Sequence, residues 1–270
     1  MPELPEVETI KRGLEILKNK KILHIFRSQK IFRIESSLDL QGLAGAKILQ
    51  FERRARYLLI NFSNKKTLIL HLGMSGRVTV AKKFQQLKHD HFAIEFDGGL
   101  HLIFNDPRRF GFLDLITTKN LKNHKMLMRL GVEPLSDEFN FLALREKLRS
   151  KKMNIKTAMM DNKIVVGVGN IYINESLFDS GISPLREASS LKANEIKKLI
   201  ISIKKILKKA IDLGGSSISD YVTASGDLGN FQNNFCVYGR ANKECLRCEN
   251  LIKKITQNGR SSFYCSSCQK

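Results

Sequence analysis

Apolar residues in this chain recur first at helical and then at strand spacing. After Pro5, the residues Val7, Ile10, Leu14 and Leu17 fall on one stripe, which predicts an amphipathic helix beginning near Val7 and anchoring the extreme N-terminus. Short apolar or alternating runs follow at Lys21–Phe26, Lys47–Glu52, Tyr57–Phe62, Thr67–Leu72, Gly76–Val80, His91–Phe96, Leu100–Phe104 and Gly111–Ile116. Turn chemistry such as Asn64 and Asp97-Gly98-Gly99 separates them. Seven or eight short strands at this spacing predict a β-sandwich or barrel over about the first 120 residues. From Lys119 to about Asp212 the period changes: across Leu191–Ile211, Ile196, Leu199, Ile200, Ile203, Ile206 and Leu207 share one face, so a helical second domain is expected. The Gly- and Ser-rich stretch Gly214–Gly229 is a candidate for a mobile loop, with an inert surface loop as the simpler alternative.

Composition sharpens this picture in three ways. The 270 residues suffice for more than one core. No run approaches the roughly 18 to 20 apolar residues of a membrane span, and Met1-Pro2-Glu3-Leu4-Pro5-Glu6 is acidic where a secretory signal is basic, so a soluble cytoplasmic protein without a membrane partner is expected. Forty-six Lys and Arg against 26 Asp and Glu leave a net charge of +20, which points to a polyanion such as nucleic acid. Part of the Lys excess is ordinary solvated surface, as on the polar face of Leu191–Ile211, which carries Lys197, Lys198, Lys204, Lys205, Lys208 and Lys209.

Five Cys, four of them in the last 26 residues, do not form a secreted disulfide framework, because the rest of the chain would be left unstapled. The spacing Cys245-x2-Cys248-x16-Cys265-x2-Cys268 instead presents two knuckles of paired thiolates to one tetrahedral ion. This predicts a four-cysteine ribbon holding one zinc. With no open coordination position the ion is structural, and no redox or nucleotide cofactor is expected. Arg260 lies in Asn258-Gly259-Arg260-Ser261, the expected tip of the hairpin between the knuckles, where a cation reaches a phosphate or stays solvated. Cys236 falls outside the spacing and reads as a buried small hydrophobe.

The N-terminus is the second chemical signal. Methionine followed by Pro is normally trimmed, which would leave Pro2 as a secondary amine. An α-amino group titrates near 7.7 to 8.0, far below a Lys amine near 10.4, so an appreciable fraction is neutral and nucleophilic at neutral pH. Glu3 and Glu6 supply candidate acid and base groups; both also read as helix N-terminal charges that complement the dipole.

Together, several segments carry a resemblance: Met1–Glu6, His71-Leu72-Gly73-Met74-Ser75-Gly76, Asn105-Asp106-Pro107-Arg108-Arg109-Phe110-Gly111, Val166-Gly167-Val168-Gly169-Asn170-Ile171-Tyr172, Tyr238-Gly239-Arg240 and the ribbon. In this order and across the whole chain they resemble the formamidopyrimidine-DNA glycosylase family. The resemblance implies an α+β protein: an N-terminal β-sandwich with an N-terminal helix, then a helix–two-turns–helix domain ending in the zinc ribbon. The boundaries expected are 1–118, 119–230 and 231–270. It further implies a monomer that binds damaged double-stranded DNA in a basic cleft between domains, excises oxidised purines such as 8-oxoguanine and formamidopyrimidines, and cuts the strand by β,δ-elimination.

By the same resemblance Pro2 is the nucleophile at sugar C1′, Glu3 exchanges protons with the sugar ring and Glu6 supports the site. Met74, Arg108 and Phe110 fill the stack left by an extruded base, chemistry that suits a flexible apolar side chain, a forked cation and an aromatic wedge. Asn170, Tyr238 and Arg260 contact phosphates, and Arg260 also serves δ-elimination. His89, Lys152 of the Lys151-Lys152 pair and Lys156 fall where relatives touch DNA, Lys156 in connection with the oxidised base. One position departs: in Arg53-Arg54-Ala55-Arg56-Tyr57, Arg56 stands where the family usually has a catalytic Lys. Arg keeps the charge and forks onto a phosphate, but it does not deprotonate near neutrality. The alternatives are an endonuclease VIII-like glycosylase for oxidised pyrimidines, which Leu4 and the Asp106–Gly111 run disfavour, and a non-catalytic zinc-stabilised DNA-binding protein, which Pro2, Glu3 and Glu6 disfavour.

Overall fold

A computed structural model describes residues 1–29, 34, 35, 40–218 and 221–270; residues 219 and 220 of the Gly214–Gly229 stretch lie outside it. Helix α1 (Leu4–Gly13) begins three residues before the apolar stripe, because Glu3 and Glu6 form a reciprocal capping box and Pro5 occupies the first turn, where its missing N–H is no loss. The stripe itself is buried, with Val7, Ile10, Leu14 and Leu17 all in the core; a short 3-10 turn at Leu14–Leu17 carries it past the helix end.

Nine strands follow among the described residues: β1 (Ile22–Arg27), β2 (Ile34–Glu35), β3 (Ile48–Arg54), β4 (Tyr57–Phe62), β5 (Lys66–His71), β6 (Arg77–Ala81), β7 (Asp90–Phe96), β8 (His101–Asn105) and β9 (Phe112–Thr117). They form one sheet in the order β1-β7-β8-β6 and another in the order β2-β9-β5-β4-β3. Two separate sheets make this a sandwich. All pairings are antiparallel except β2 with β9. Alternate residues such as Phe92, Ile94 and Phe96 of β7 and Leu58, Ile60 and Phe62 of β4 point inward and meet α1 in one apolar core.

The helical part comprises α2 (Phe141–Leu148), α3 (Ile155–Met159), α4 (Asn170–Ser180) and α5 (Ala193–Asp212), followed by the hairpin strands β10 (Lys253–Gln257) and β11 (Arg260–Tyr264). The predicted face of α5 is buried at Ile196, Leu199, Ile200, Ile203 and Leu207. Among the described residues no helix is long and apolar enough to cross a membrane.

The chain divides into two compact units, Met1–Met128 with Leu213–Gln232, and Arg129–Asp212 with Asn233–Lys270. The segment after α5, which the boundary at 230 assigns to the helical domain, thus packs with the sandwich: Val80 N donates to the Ala224 carbonyl at 2.8 Å, and Ser216 N to the Glu6 carboxylate at 2.8 Å. The ribbon belongs with the helices.

Candidate active site and metal centre

In the first unit the start of the chain is held from two sides. Pro2, Glu3 and Glu6 are buried. Glu6 Oε2 accepts the Glu3 N–H at 2.8 Å and its Oε1 accepts Ser216 N, so one carboxylate joins the helix cap to the Gly-rich segment. The helix-capping reading of these residues is what the hydrogen bonds express: Glu3 and Glu6 cap α1 reciprocally, directly after Pro2. Tyr221 reinforces the junction by donating to the Gly214 carbonyl at 3.0 Å; burial, with the nearby Glu6 charge, pushes its hydroxyl well above the ordinary tyrosine range. The Gly214–Gly229 stretch is anchored at its base.

The Arg54–Tyr57 pair closes a two-residue turn between β3 and β4, with Ala55 at φ 53° and Arg56 beside it. This turn sets Arg56 Nη1 3.8 Å from Met1 Sδ. The departure from the family pattern thus stands next to the first residue. Burial first, and then the Arg56 charge, press the neighbouring His71 down to about 4, against the opposing pull of Asp106. Its Nδ1 accepts the Gly73 N–H at 3.0 Å, so the neutral ring carries its proton on Nε2.

Met74, Arg108 and Phe110 are brought together by a buried carboxylate. Asp106 accepts the Ser75 hydroxyl at 2.7 Å and the Gly111 N–H at 2.7 Å, and Arg108 N donates to Ser75 Oγ at 3.2 Å. Gly73 (φ 62°) lies so close to the second loop that a Cβ there would sit 2.4 Å from the Phe110 backbone. The result is two abutting loops that leave Met74 (40%) and Phe110 (39%) exposed, with the Arg108 guanidinium 4.8 Å from the Phe110 ring centre. His89 adjoins them, its carbonyl accepting Asp106 N at 3.0 Å. Ala55, His89 and Arg109 have φ of 53°, 76° and 55°; non-glycine residues in this region cost about 1 kcal/mol or more each, and here they sit on the turns that carry the proposed DNA contacts.

In the second unit, Asn170 is the first residue of α4 and Tyr238 lies between Phe235 and Phe263, with ring centres 5.4 and 5.2 Å away. Arg260 is exposed at the hairpin tip, where Asn258 (φ 47°) and Gly259 (φ 70°) form the two-residue turn. Lys152 is exposed just before the Asn154 cap of α3. Lys156 is placed differently from the expectation: it is 1% exposed, and its amine donates to Ser261 O at 2.8 Å and Ser262 Oγ at 2.7 Å in the hairpin.

The four cysteines converge. Their Sγ atoms all lie within 4.8 Å of one another, with Cys248–Cys265 at 3.4 Å and Cys245–Cys268 at 3.9 Å. A tetrahedral zinc with bonds of about 2.3 Å needs sulfur–sulfur edges of about 3.8 Å, so the set fits that ion. Cys236 is half-buried and outside the cluster.

Several residues organise the site with little local sequence signal. Ser75 and Asp106 stand beside Met74 and Arg108, and neither residue's own pattern points to a staple. Glu175, buried on α4, accepts the backbone N–H groups of Cys236, Val237 and Tyr238 at 2.9, 3.0 and 2.8 Å, and burial raises its carboxyl above the usual range against those bonds. A charged residue among Tyr172, Ile173, Leu177 and Phe178 was the available signal.

Comparison with known proteins matches residues 1–113 to the formamidopyrimidine-DNA glycosylase N-terminal domain, 130–222 to the formamidopyrimidine-DNA glycosylase H2TH domain and 242–270 to the zinc finger found in FPG and IleRS. The chain is 42% identical to the formamidopyrimidine-DNA glycosylase of Dinoroseobacter shibae and 44% identical to that of Wolbachia pipientis subsp. Culex pipiens, covering all of each chain in both cases. It superposes on a Lactococcus lactis FPG variant in complex with a Fapy-dG containing DNA with a TM-score of 0.92, at 36% identity over the full length of both chains. Over its whole length the chain belongs to the formamidopyrimidine-DNA glycosylase family, a family of DNA-repair glycosylases.

Proposed function

We propose that this chain is a bifunctional glycosylase and abasic-site lyase that removes 8-oxoguanine and formamidopyrimidines from duplex DNA, with Pro2 as its nucleophile once Met1 is removed. The observation that carries the reading is the N-terminal cluster: Pro2 at the mouth of the α1 cap, two buried carboxylates beside it, and the Arg56 guanidinium at Met1.

The Pro2 lone pair forms a bond to sugar C1′, and the glycosidic bond breaks with its electron pair leaving on the base, which takes a proton. The sugar C1′–O4′ bond opens as O4′ takes a proton from Glu3, leaving an iminium. That cation acidifies the adjacent C2′ proton; its loss forms C2′=C3′ and expels the 3′ phosphate. Loss of the C4′ proton then expels the 5′ phosphate, with Arg260 at the departing group. Water hydrolyses the remaining iminium and returns the amine. Arg56 contributes a fixed positive charge for a phosphate in place of the usual amine. Met74, Arg108 and Phe110 fill the stack vacated by the extruded nucleotide, and Asn170, Tyr238, His89 and Lys152 contact the backbone. One zinc on Cys245, Cys248, Cys265 and Cys268 holds the ribbon and takes no part in the chemistry. The protein works as a cytoplasmic monomer.

Borohydride reduction tests this reading. A duplex with 8-oxoguanine opposite cytosine gives a covalent adduct with the Met1-trimmed protein, and Pro2→Gly slows its formation by at least about 100-fold. No adduct, or an adduct formed at full rate by the variant, would sink the nucleophile assignment. Faster trapping on an oxidised-pyrimidine duplex would favour endonuclease VIII-like specificity.

A further inference from the structure

The hairpin that carries Arg260 is gripped from below. Ser261, the next residue, presents a carbonyl that accepts two hydrogen bonds from the helices: Lys156 Nζ at 2.8 Å and Asn170 Nδ2 at 3.1 Å. Two donors satisfy both lone pairs of that oxygen. Lys156 also donates to Ser262 Oγ at 2.7 Å, and the Ser262 hydroxyl donates in turn to Gln257 Oε1 at 2.6 Å on the other strand. Gln257 and Arg260 are the pair that closes the turn. A single ammonium on α3 thus holds β11 directly and β10 through one hydroxyl, immediately below the tip.

Burial strips an amine of its water, so a lysine here is a poor way merely to fill space; what it returns is direction. Two of its three donors go to the hairpin. Asn258 Nδ2 adds a parallel tether to Thr157 Oγ1 at 3.3 Å, one residue along α3. The geometry points to Lys156 as a positioning residue for Arg260: it fixes the height and rotation of the hairpin tip, and acts on the second strand-cutting step instead of reading the damaged base. This rests on the proposed role of Arg260 in δ-elimination.

The test uses the full-length, zinc-loaded protein on two duplexes, one with 8-oxoguanine and one with a preformed abasic site. The readouts are the rate of borohydride adduct formation at Pro2, the ratio of δ- to β-elimination product, and the zinc content. In Lys156→Met, adduct formation from the abasic site stays within about twofold of wild type while the δ-to-β ratio falls by about tenfold, the scale of one misplaced charge contact. Arg260→Gln lowers the same ratio, and the double variant loses no more than Arg260→Gln alone, because both act through one group. Lys156→Arg recovers most of the ratio, since a cleft of about 320 Å³ lined by Lys156, Met153, Met160 and Arg260 admits the longer side chain. If Lys156→Met loses zinc, Ser262→Ala removes only the second tether and should move the ratio in the same direction by a smaller factor. An unchanged ratio together with slower release of 8-oxoguanine would make Lys156 a base contact and overturn the inference alone. Absence of δ product from the wild-type protein would overturn the role of Arg260, and this inference with it.

Discussion

In the first unit, Met74, Arg108 and Phe110 ride on loops stapled by one buried carboxylate over a sandwich that owns a large apolar core. In the second, Arg260 and Tyr238 ride on a ribbon with a small apolar cluster, its buried members being Val237, Ile252, Phe263 and two cysteines against Phe178, with Tyr238 and Ala241 partly buried around them. The ribbon is held instead by polar tethers from α3 and α4 and by its thiolates. Local staples on a stable core tolerate loss of one bond; remote tethers on a small body do not. The two units should therefore fail in different ways.

Metal removal should separate them most. Structural zinc supplies about 10 to 16 kcal/mol of binding energy to modules of this kind. Stripping it should release the ribbon and weaken binding to a damaged duplex by about 100-fold, through loss of the phosphate contacts proposed for Arg260 and Tyr238. The unfolding transition of the first unit, followed by hydrogen exchange in β4 and β5, should stay where it was. Full-affinity DNA binding by verified zinc-free protein would erase the contrast.

The corresponding injury to the first unit is Asp106→Ala, which strips the acceptor from Ser75 and Gly111. Urea unfolding should show a loss of about 3 to 4 kcal/mol, and adduct formation should slow while zinc content is unchanged. A loss below about 1 kcal/mol would mean that Gly73 packing, and not the carboxylate, holds the loops.

The smallest effect is confined to a pH window. His71 has a folded-state value of about 4 against its ordinary 6.5, so the unfolded chain takes up the proton first. Its contribution is intact above pH 6.5 and is lost as the pH falls toward 4. The difference between 6.5 and about 4 corresponds to about 3.4 kcal/mol at most, and about 2 after allowing for the part of the ring that solvent reaches. His71→Asn keeps an acceptor for Gly73 N and removes the titration. The variant should gain on wild type progressively below pH 6.5, and a stability difference flat with pH would show that His71 does not titrate as described.

Regular elements were legible because their signal is local. All eight anticipated strands are present within a residue or two, and the α1 and α5 stripes are buried as their spacing demands. Among the described residues of the sandwich only β2 escaped: two residues are too short for a period, and its parallel partner lies far along the chain. The cysteine knuckles were equally legible, since ligand spacing states the chemistry. What the sequence withheld is side-chain pairing over distance. Nothing near Glu6 names Ser216, nothing near Glu175 names the turn at 236–238, and Lys156 looks like any basic residue until the hairpin folds onto it. Resemblance located these residues or passed them over; only the folded chain says what they hold.

The bond between Glu6 and Ser216 spans 210 residues, and that distance has a meaning in time. At about 5 to 20 residues per second, a ribosome delivers the donor roughly 10 to 40 s after the acceptor. Between them it makes the whole of α2 to α5. The sandwich is accordingly built in two stages, with its strands available early and the segment that braces Glu6 arriving only after the helices. A nascent chain therefore carries its N-terminal carboxylates through most of synthesis before the cluster around Pro2 can close.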